Sequence, residues 1–190
     1  GQFQKSRSQD IQMTAFRHST PDDMEEIMEI TERARTFLRS QGLDQWQKGY
    51  PDRQTFLSDT ATGLGYVLEE EGHIAAVCAV TFTEDASYGE IYGGQWLTQN
   101  RDGKAPAYAA IHRMAVNASL RGRGYAGRLF EEVAALARES GMDSIRIDTH
   151  EGNLPMQRAL EKSGFARCGT IFLKGGAEDG DPRIAFEKLL

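Results

Sequence analysis

The chain has 190 residues, 39% of them hydrophobic and 26% charged, and carries a formal net charge of −6. That length favours one domain with a sizeable core, and the acidic balance excludes a general binder of polyanions. Two cysteines without CxxC spacing exclude a disulfide framework or a zinc knuckle and fit a reducing, cytoplasmic setting, while no apolar run approaches the ~18–20 residues of a membrane span and no signal peptide is visible.

Residues 1–11 are polar and aperiodic and read as a disordered tail or an expression remnant, so one folded domain is expected over 12–190. TAFRHST reads as a short strand. Thr20-Pro21-Asp22 then starts a helix, with a capping hydroxyl, proline at the first helical position and acids in the first turn. Met24, Ile27, Met28, Ile30, Ala34, Phe37 and Leu38 give it an apolar stripe of period 3.6, and Gly42 stops it. LDQWQKGYPDR is a loop holding Trp46 and Tyr50, and RQTFLSDTA is a second, short helix. GYVLEEEGHIAAVCAVTF reads as a hairpin turning at Glu71-Gly72. From Tyr88 to Gly103 the chain is aromatic and glycine-rich, as a ribbon or an irregular loop would be. AYAAIHRMAV is a strand, and the helix after it stops at Ser140-Gly141. SIRIDTH is a strand, NLPMQRALEKSG a helix, FARCGTIFL a strand, and RIAFEKLL a last strand or short helix. There are no repeats or interdomain linkers, and a strand–helix–strand crossover lies at the centre of a mixed α/β domain.

Between the central strand and its helix lies VNASLRGRGYAGRLF, with three glycines (Gly122, Gly124, Gly127) and three arginines (Arg121, Arg123, Arg128). Glycine inside a helix costs about 0.5–1 kcal/mol relative to alanine, so a compensating role is expected. A helix N-terminus leaves backbone N–H groups unpaired and positive, glycines let a phosphate approach, and arginines add charge. One reading is a dinucleotide site, as in an NAD(P)-dependent oxidoreductase. The three glycines fit G-x-G-x-x-G, and Asp148 follows about 20 residues on. Against it, Asn117 to Arg121 separate the strand from the turn, arginine beside the first glycines is unusual, and too little chain follows Asp148 for a doubly wound sheet.

The other reading is coenzyme A. Arg121, Gly124 and Ala126 match [Q/R]-x-x-G-x-[G/A], and Asn153 with Gly164-Phe165 matches an asparagine opening the next helix and a glycine-phenylalanine closing it. In these residues and in element order, from about Met13 to Leu190, the chain resembles the GNAT superfamily of acyl-CoA N-acyltransferases. The resemblance implies an α/β (α+β) single-domain fold, with a mixed, mostly antiparallel twisted sheet, flanking helices and a β-α-β crossover that binds CoA. It implies transfer of an acetyl group from acetyl-CoA, as co-substrate, to the amine of a small molecule or peptide. Dimers are common in the family, and neither nucleic acid nor a membrane is implied as a partner.

By that resemblance the CoA diphosphate lies on the backbone of Gly122, Arg123, Gly124, Tyr125, Ala126 and Gly127, with charge from Arg121 or Arg123, and Asn153 belongs to the same set. The pantetheine arm runs along Met114, Ala115 and Val116, where an N–H would stabilise the oxyanion. The family often protonates the departing thiolate with a tyrosine four residues before the closing glycine, where this chain has Leu160. That departure also opens a third reading, a catalytically silent acyl-CoA sensor. Candidates for the proton transfer are Asp148, His150 and His112; strand alternation places Arg146, Asp148 and His150 on one face, so Asp148 and His150 are expected to carry it. A structural His–Asp pair is the alternative. A metal held by His112, Asp148 and His150 lacks local ligand spacing and is discounted. Trp46 and Tyr50 are expected at the acceptor, with Tyr88, Tyr92 and Trp96 as a second aromatic group, and overall acidity favours a cationic acceptor.

Overall fold

A computed structural model describes residues 14–190, so the reading of residues 1–11 lies outside the described residues. The strand β1 (Thr14–His18) leads through a turn of 3-10 helix at Pro21–Asp23 into α1 (Met24–Ser40) and α2 (Arg53–Ala61). At the start of α1 the predicted cap is reciprocal, with Asp23 accepting from the Thr20 backbone N–H. Then follow β2 (Gly65–Glu70), β3 (His73–Thr81), β4 (Tyr108–Val116), α3 (Tyr125–Glu139), β5 (Ser144–Thr149), α4 (Leu154–Lys162), β6 (Ala166–Phe172) and β7 (Pro182–Leu189). RIAFEKLL therefore belongs to a strand, β7, whose side chains alternate between two covered faces, Ile184 and Phe186 on one and Ala185 on the other. No helix among the described residues is long and apolar enough to cross a membrane.

The seven strands form one sheet in the order β1-β2-β3-β4-β5-β7-β6, antiparallel throughout except for β4 beside β5. A doubly wound parallel sheet is thereby ruled out, and the dinucleotide reading with it. Glu71 and Gly72 have φ of 52° and 80°, the signature of the two-residue hairpin turn expected between β2 and β3.

On one face α3 and α4 bury Leu129, Phe130, Val133 and Leu160 against Ile111, Ile145, Ile147 and Phe186. Each such side chain contributes about 1.5–3 kcal/mol on burial. The other face is covered in two halves. Met24, Ile27, Ile30 and Phe56 of α1 and α2 pack on Val67, Ile74, Val77 and Ala115. The segment 82–107 covers the remainder through Tyr88 and Trp96, against Tyr108, Ala110, Ile171 and Ala185. It is irregular, with a turn of 3-10 helix at Ala86–Tyr88 and single bridges Tyr92–Thr170 and Arg101–Lys104.

What ties this segment down is a buried charge. Glu187 of β7 accepts from the backbone N–H of Leu97 and Thr98, from the hydroxyls of Thr98 and Ser144, and from Arg146 Nε at 2.9 Å. The Arg146 guanidinium lies between the rings of Trp96 and Tyr108, 4.1 and 4.2 Å from their centroids.

Candidate active site

The site begins with a bulge. β4 faces β3 in regular register up to His112 opposite Ala79 and resumes at Ala115 opposite Val77, leaving Arg113 and Met114 opposite Cys78 alone. Arg113 has φ of 50°, a left-handed conformation that a side chain with a Cβ adopts at a cost of about 1–2 kcal/mol. Its guanidinium is held by both Asp59 oxygens at 2.7 Å, from α2, and by the Tyr50 hydroxyl at 2.9 Å. A bulged strand bends. Accordingly β4 pairs with β5 only from Tyr108 to Ala110, and the two strands separate beyond that point.

The opening between them continues into a cavity of about 670 Å³ that reaches across the sheet. Its mouth is the glycine turn. Gly122 and Gly124 have φ of 81° and 78°, and Gly124, at the N-cap of α3, has no side chain to cap the helix. The first amide of α3 with an intrahelical acceptor is that of Arg128, to Gly124 O at 3.1 Å, whereas α2 and α4 are capped by Asp52 and Asn153. Unpaired amides, a helix N-terminus and open space over Gly122 and Gly124 together form a cradle for a phosphate group.

Most of the residues singled out by sequence meet here. Met114, Ala115, Val116, Arg121, Gly122, Gly124, Tyr125, Ala126, Asn153, Trp46, Tyr50 and Asp148 all line this one cavity. Arg123 and Gly127 do not; the inner side of Gly127 faces Ser163, the C-cap of α4, where an added Cβ would make an ordinary contact at 3.5 Å. Arg121 extends over the Phe37 ring of α1, 4.2 Å from its centroid. Tyr125 turns its ring into the core, leaving its backbone for the turn. Leu160 is fully buried and off the cavity.

His150 does not join Asp148. β5 ends at Thr149, so the alternation that would aim His150 beside Asp148 stops one residue short. Its Nε2 sits 3.1 Å from Asp44, its Nδ1 accepts from the Gly152 N–H at 2.9 Å, and it is absent from the cavity lining. His112 takes the inner position instead, with Nε2 2.9 Å from Asp85.

The far end of the cavity lies in the gap between the two half-layers. Burial alone would raise the Asp85 carboxyl, but hydrogen bonding and charge from His112, with the Ser87 N–H, hold it below the usual carboxylate range. Asp148 accepts from the Tyr88 hydroxyl at 2.7 Å, and burial raises its carboxyl above the usual range despite that bond. Tyr88 is raised well above its ordinary value, first by burial and then by Asp148, so it remains a donor. The chamber is roofed by two loops. Trp46, with φ of 63°, donates its backbone N–H to Glu178 at 2.9 Å, and Glu178 accepts from the buried Arg183 at 3.1 Å. Asp85, Glu178 and the Arg113–Asp59 pair were not legible beforehand, and Tyr88 was expected only as one of an aromatic group: each acts through a partner more than 20 residues away.

Residues 24–165 match the model of the acetyltransferase (GNAT) family. The aminoglycoside N(6')-acetyltransferase type 1 of Klebsiella pneumoniae is 27% identical over 146 residues, 74% of this chain and 71% of that protein. A GNAT-family acetyltransferase structure from Streptococcus agalactiae superposes with a TM-score of 0.80 at 34% identity, covering 93% of this chain and 95% of that one. The PaiA N-acetyltransferase of Thermoplasma acidophilum, solved with coenzyme A, shares the fold at a TM-score of 0.67 and 11% identity, over 93% of this chain and 99% of its own.

Proposed function

Because the chain belongs to the GNAT acetyltransferase family and so transfers an acetyl group to an amine, we propose that its cavity holds acetyl-CoA at the glycine turn and the acceptor between His112 and Asp148. The observation that carries this reading is continuity. One cavity runs from the uncapped N-terminus of α3, along the unpaired edge of β4, to a histidine–carboxylate pair.

Backbone amides from Gly122 to Gly127 would hold the diphosphate, and Arg121 would add charge. Met114, Ala115 and Val116 offer the strand edge along which an extended arm adds, and a β4 amide there stabilises negative charge on the carbonyl oxygen. The bound thioester supplies an activated acetyl group. The acceptor nitrogen bonds to the carbonyl carbon, the carbon–sulfur bond breaks, and the sulfur leaves with its electron pair as thiolate. The chain must remove one proton from the nitrogen. Asp85 accepts at Nε2 of His112, which places hydrogen there in the neutral ring and leaves the Nδ1 lone pair to take that proton.

The acceptor set includes aminoglycosides, small diamines and peptide amines, the first suggested by the relative from Klebsiella pneumoniae. The two buried, free thiols, Cys78 and Cys168, suit a reducing compartment such as the cytoplasm. The test is thiol release from acetyl-CoA with a panel of amines. His112→Ala is expected to lower turnover by about 10²–10⁴-fold while calorimetry shows acetyl-CoA affinity unchanged. Normal turnover by this variant would refute the assignment of the base.

A further inference from the structure

Most of the charges deep in the acceptor end pair off. Arg113 is held by Asp59, Arg183 by Glu178, and His112 by Asp85. Lys174 is exposed at the rim. Asp148 lacks a cationic partner within ion-pair distance among the described residues; its one hydrogen bond comes from the neutral Tyr88 hydroxyl. It lies deep in the molecule yet keeps part of its surface open, because what it faces is the cavity. Burial raises its carboxyl, and the Tyr88 hydrogen bond and the more distant charges of His112 and Arg183 offset that only in part, so the carboxylate remains a cost to the protein that holds it.

Resting on the transfer reading above, we infer that Asp148 is a subsite for a spectator ammonium, so that the preferred acceptors carry a second cationic nitrogen besides the one acetylated. The chemistry of the reaction separates the two nitrogens. The nitrogen that attacks must be neutral, and a carboxylate beside it would favour its protonated form. A carboxylate is therefore well placed for a nitrogen that stays charged and poorly placed for the one that reacts. His112 offers the reacting nitrogen a base. Asp148, across the opened β4–β5 pair on the same face of the sheet, offers the other its missing counter-charge. Tyr88 keeps both in place: its hydroxyl bonds Asp148, and its ring stacks on the His112 ring at 6.2 Å between centroids.

The experiment compares the wild-type protein on α,ω-diamines, from diaminopropane to diaminohexane, with alkylamines of matched length and with 4-aminobutyrate. The best diamine is expected to exceed its matched monoamine by about tenfold or more in kcat/KM, with 4-aminobutyrate poorest. In Asp148→Asn, whose amide carbonyl still accepts the Tyr88 hydroxyl, that preference is expected to fall towards unity. The Tm of the free protein is expected to rise by about 2–4 °C as the unpaired charge is removed. Equal use of diamine and monoamine by the wild type overturns the inference. So does an undiminished preference in Asp148→Asn, or loss of turnover on every amine alike while acetyl-CoA still binds, which would place Asp148 in the reaction itself. Calorimetry of the diamines separates this inference from the one it rests on. Tighter diamine than monoamine binding without any thiol release keeps the cation subsite and sinks the transfer reading. Thiol release without diamine preference does the reverse.

Discussion

At Gly124 the backbone takes φ of 78°, and a Cβ there meets open space rather than a neighbour. An added methyl group therefore strains the turn by about 1–2 kcal/mol without clashing with the protein. At Gly127 the backbone is helical and an added Cβ comes to 3.5 Å from Ser163 Oγ, an ordinary contact. The two glycines look equivalent in the sequence and should respond oppositely. Gly124→Ala is expected to let the free turn relax out of the left-handed conformation, so that binding must restore it and acetyl-CoA affinity falls by roughly 5–30-fold, the equivalent of that strain. Gly127→Ala should keep affinity and gain about 0.5–1 kcal/mol of helix stability. Calorimetric titration and thermal unfolding of both variants check this; equal losses of affinity would mean that the turn does not cradle the diphosphate. The histidines give a similar contrast. His150 has both ring nitrogens engaged outside the cavity, and His112 lines it with one nitrogen on Asp85.

Among the elements, the loop after α1 and the loop between β6 and β7 are joined by one carboxylate. Glu178 takes the Trp46 N–H on one side and Arg183 on the other, with Lys48 and Asp181 3.9 Å apart as a weaker second tie. A tryptophan at φ of 63° persists only where its surroundings hold it, and here this hydrogen bond acts together with burial of Trp46 in the cluster under α1 and α2. Glu178→Ala is expected to release Trp46 and raise the acceptor KM by about tenfold, leaving acetyl-CoA affinity unchanged, because the glycine turn lies at the other end of the cavity. Glu178→Gln, whose carbonyl still accepts the Trp46 N–H, should raise it less. Steady-state kinetics with acceptor and acetyl-CoA varied separately decide; a change confined to the acetyl-CoA terms would disprove the clasp. The segment 82–107 is the other element without sequence periodicity, and it supplies Asp85 and Tyr88 to the site.

For the molecule as a whole, acid should act first through Glu187. Burial alone would raise its carboxyl, but Ser144, Thr98 and Arg146 hold it below the ordinary 4.5. A folded value below the unfolded one means a contribution to stability that is present above about pH 4.5 and lost as pH falls through the folded value. Asp85 and Asp23 shift the same way, and Asp148 the opposite way, so its ionisation detracts from stability at neutral pH. The Tm is therefore expected to fall on acidification below about pH 4.5, and less steeply in Glu187→Gln. At neutral pH that variant should itself be less stable by about 3–5 kcal/mol, because Arg146 stays buried without its counter-charge. Thermal unfolding from neutral pH down to about pH 3 tests this; identical acid slopes for wild type and variant would show that Glu187 does not govern the acid limb.

The order of helices and strands, the α1 cap, the Glu71-Gly72 turn and the glycine-rich start of α3 were determined by the sequence itself. Each is encoded by residues within a few positions of one another, where periodicity and backbone preference suffice. The arrangement of the acceptor chamber was decided only by the tertiary structure. Asp85, His112, Asp148 and Glu178 come from four separate segments of the chain. Which of them face the cavity depends on the bulge at Arg113, on β5 ending at Thr149, and on a loop anchored by Glu187. A bulge or the end of a strand changes which face a side chain takes, and the bonds that set them here join residues far apart, beyond the reach of any local pattern.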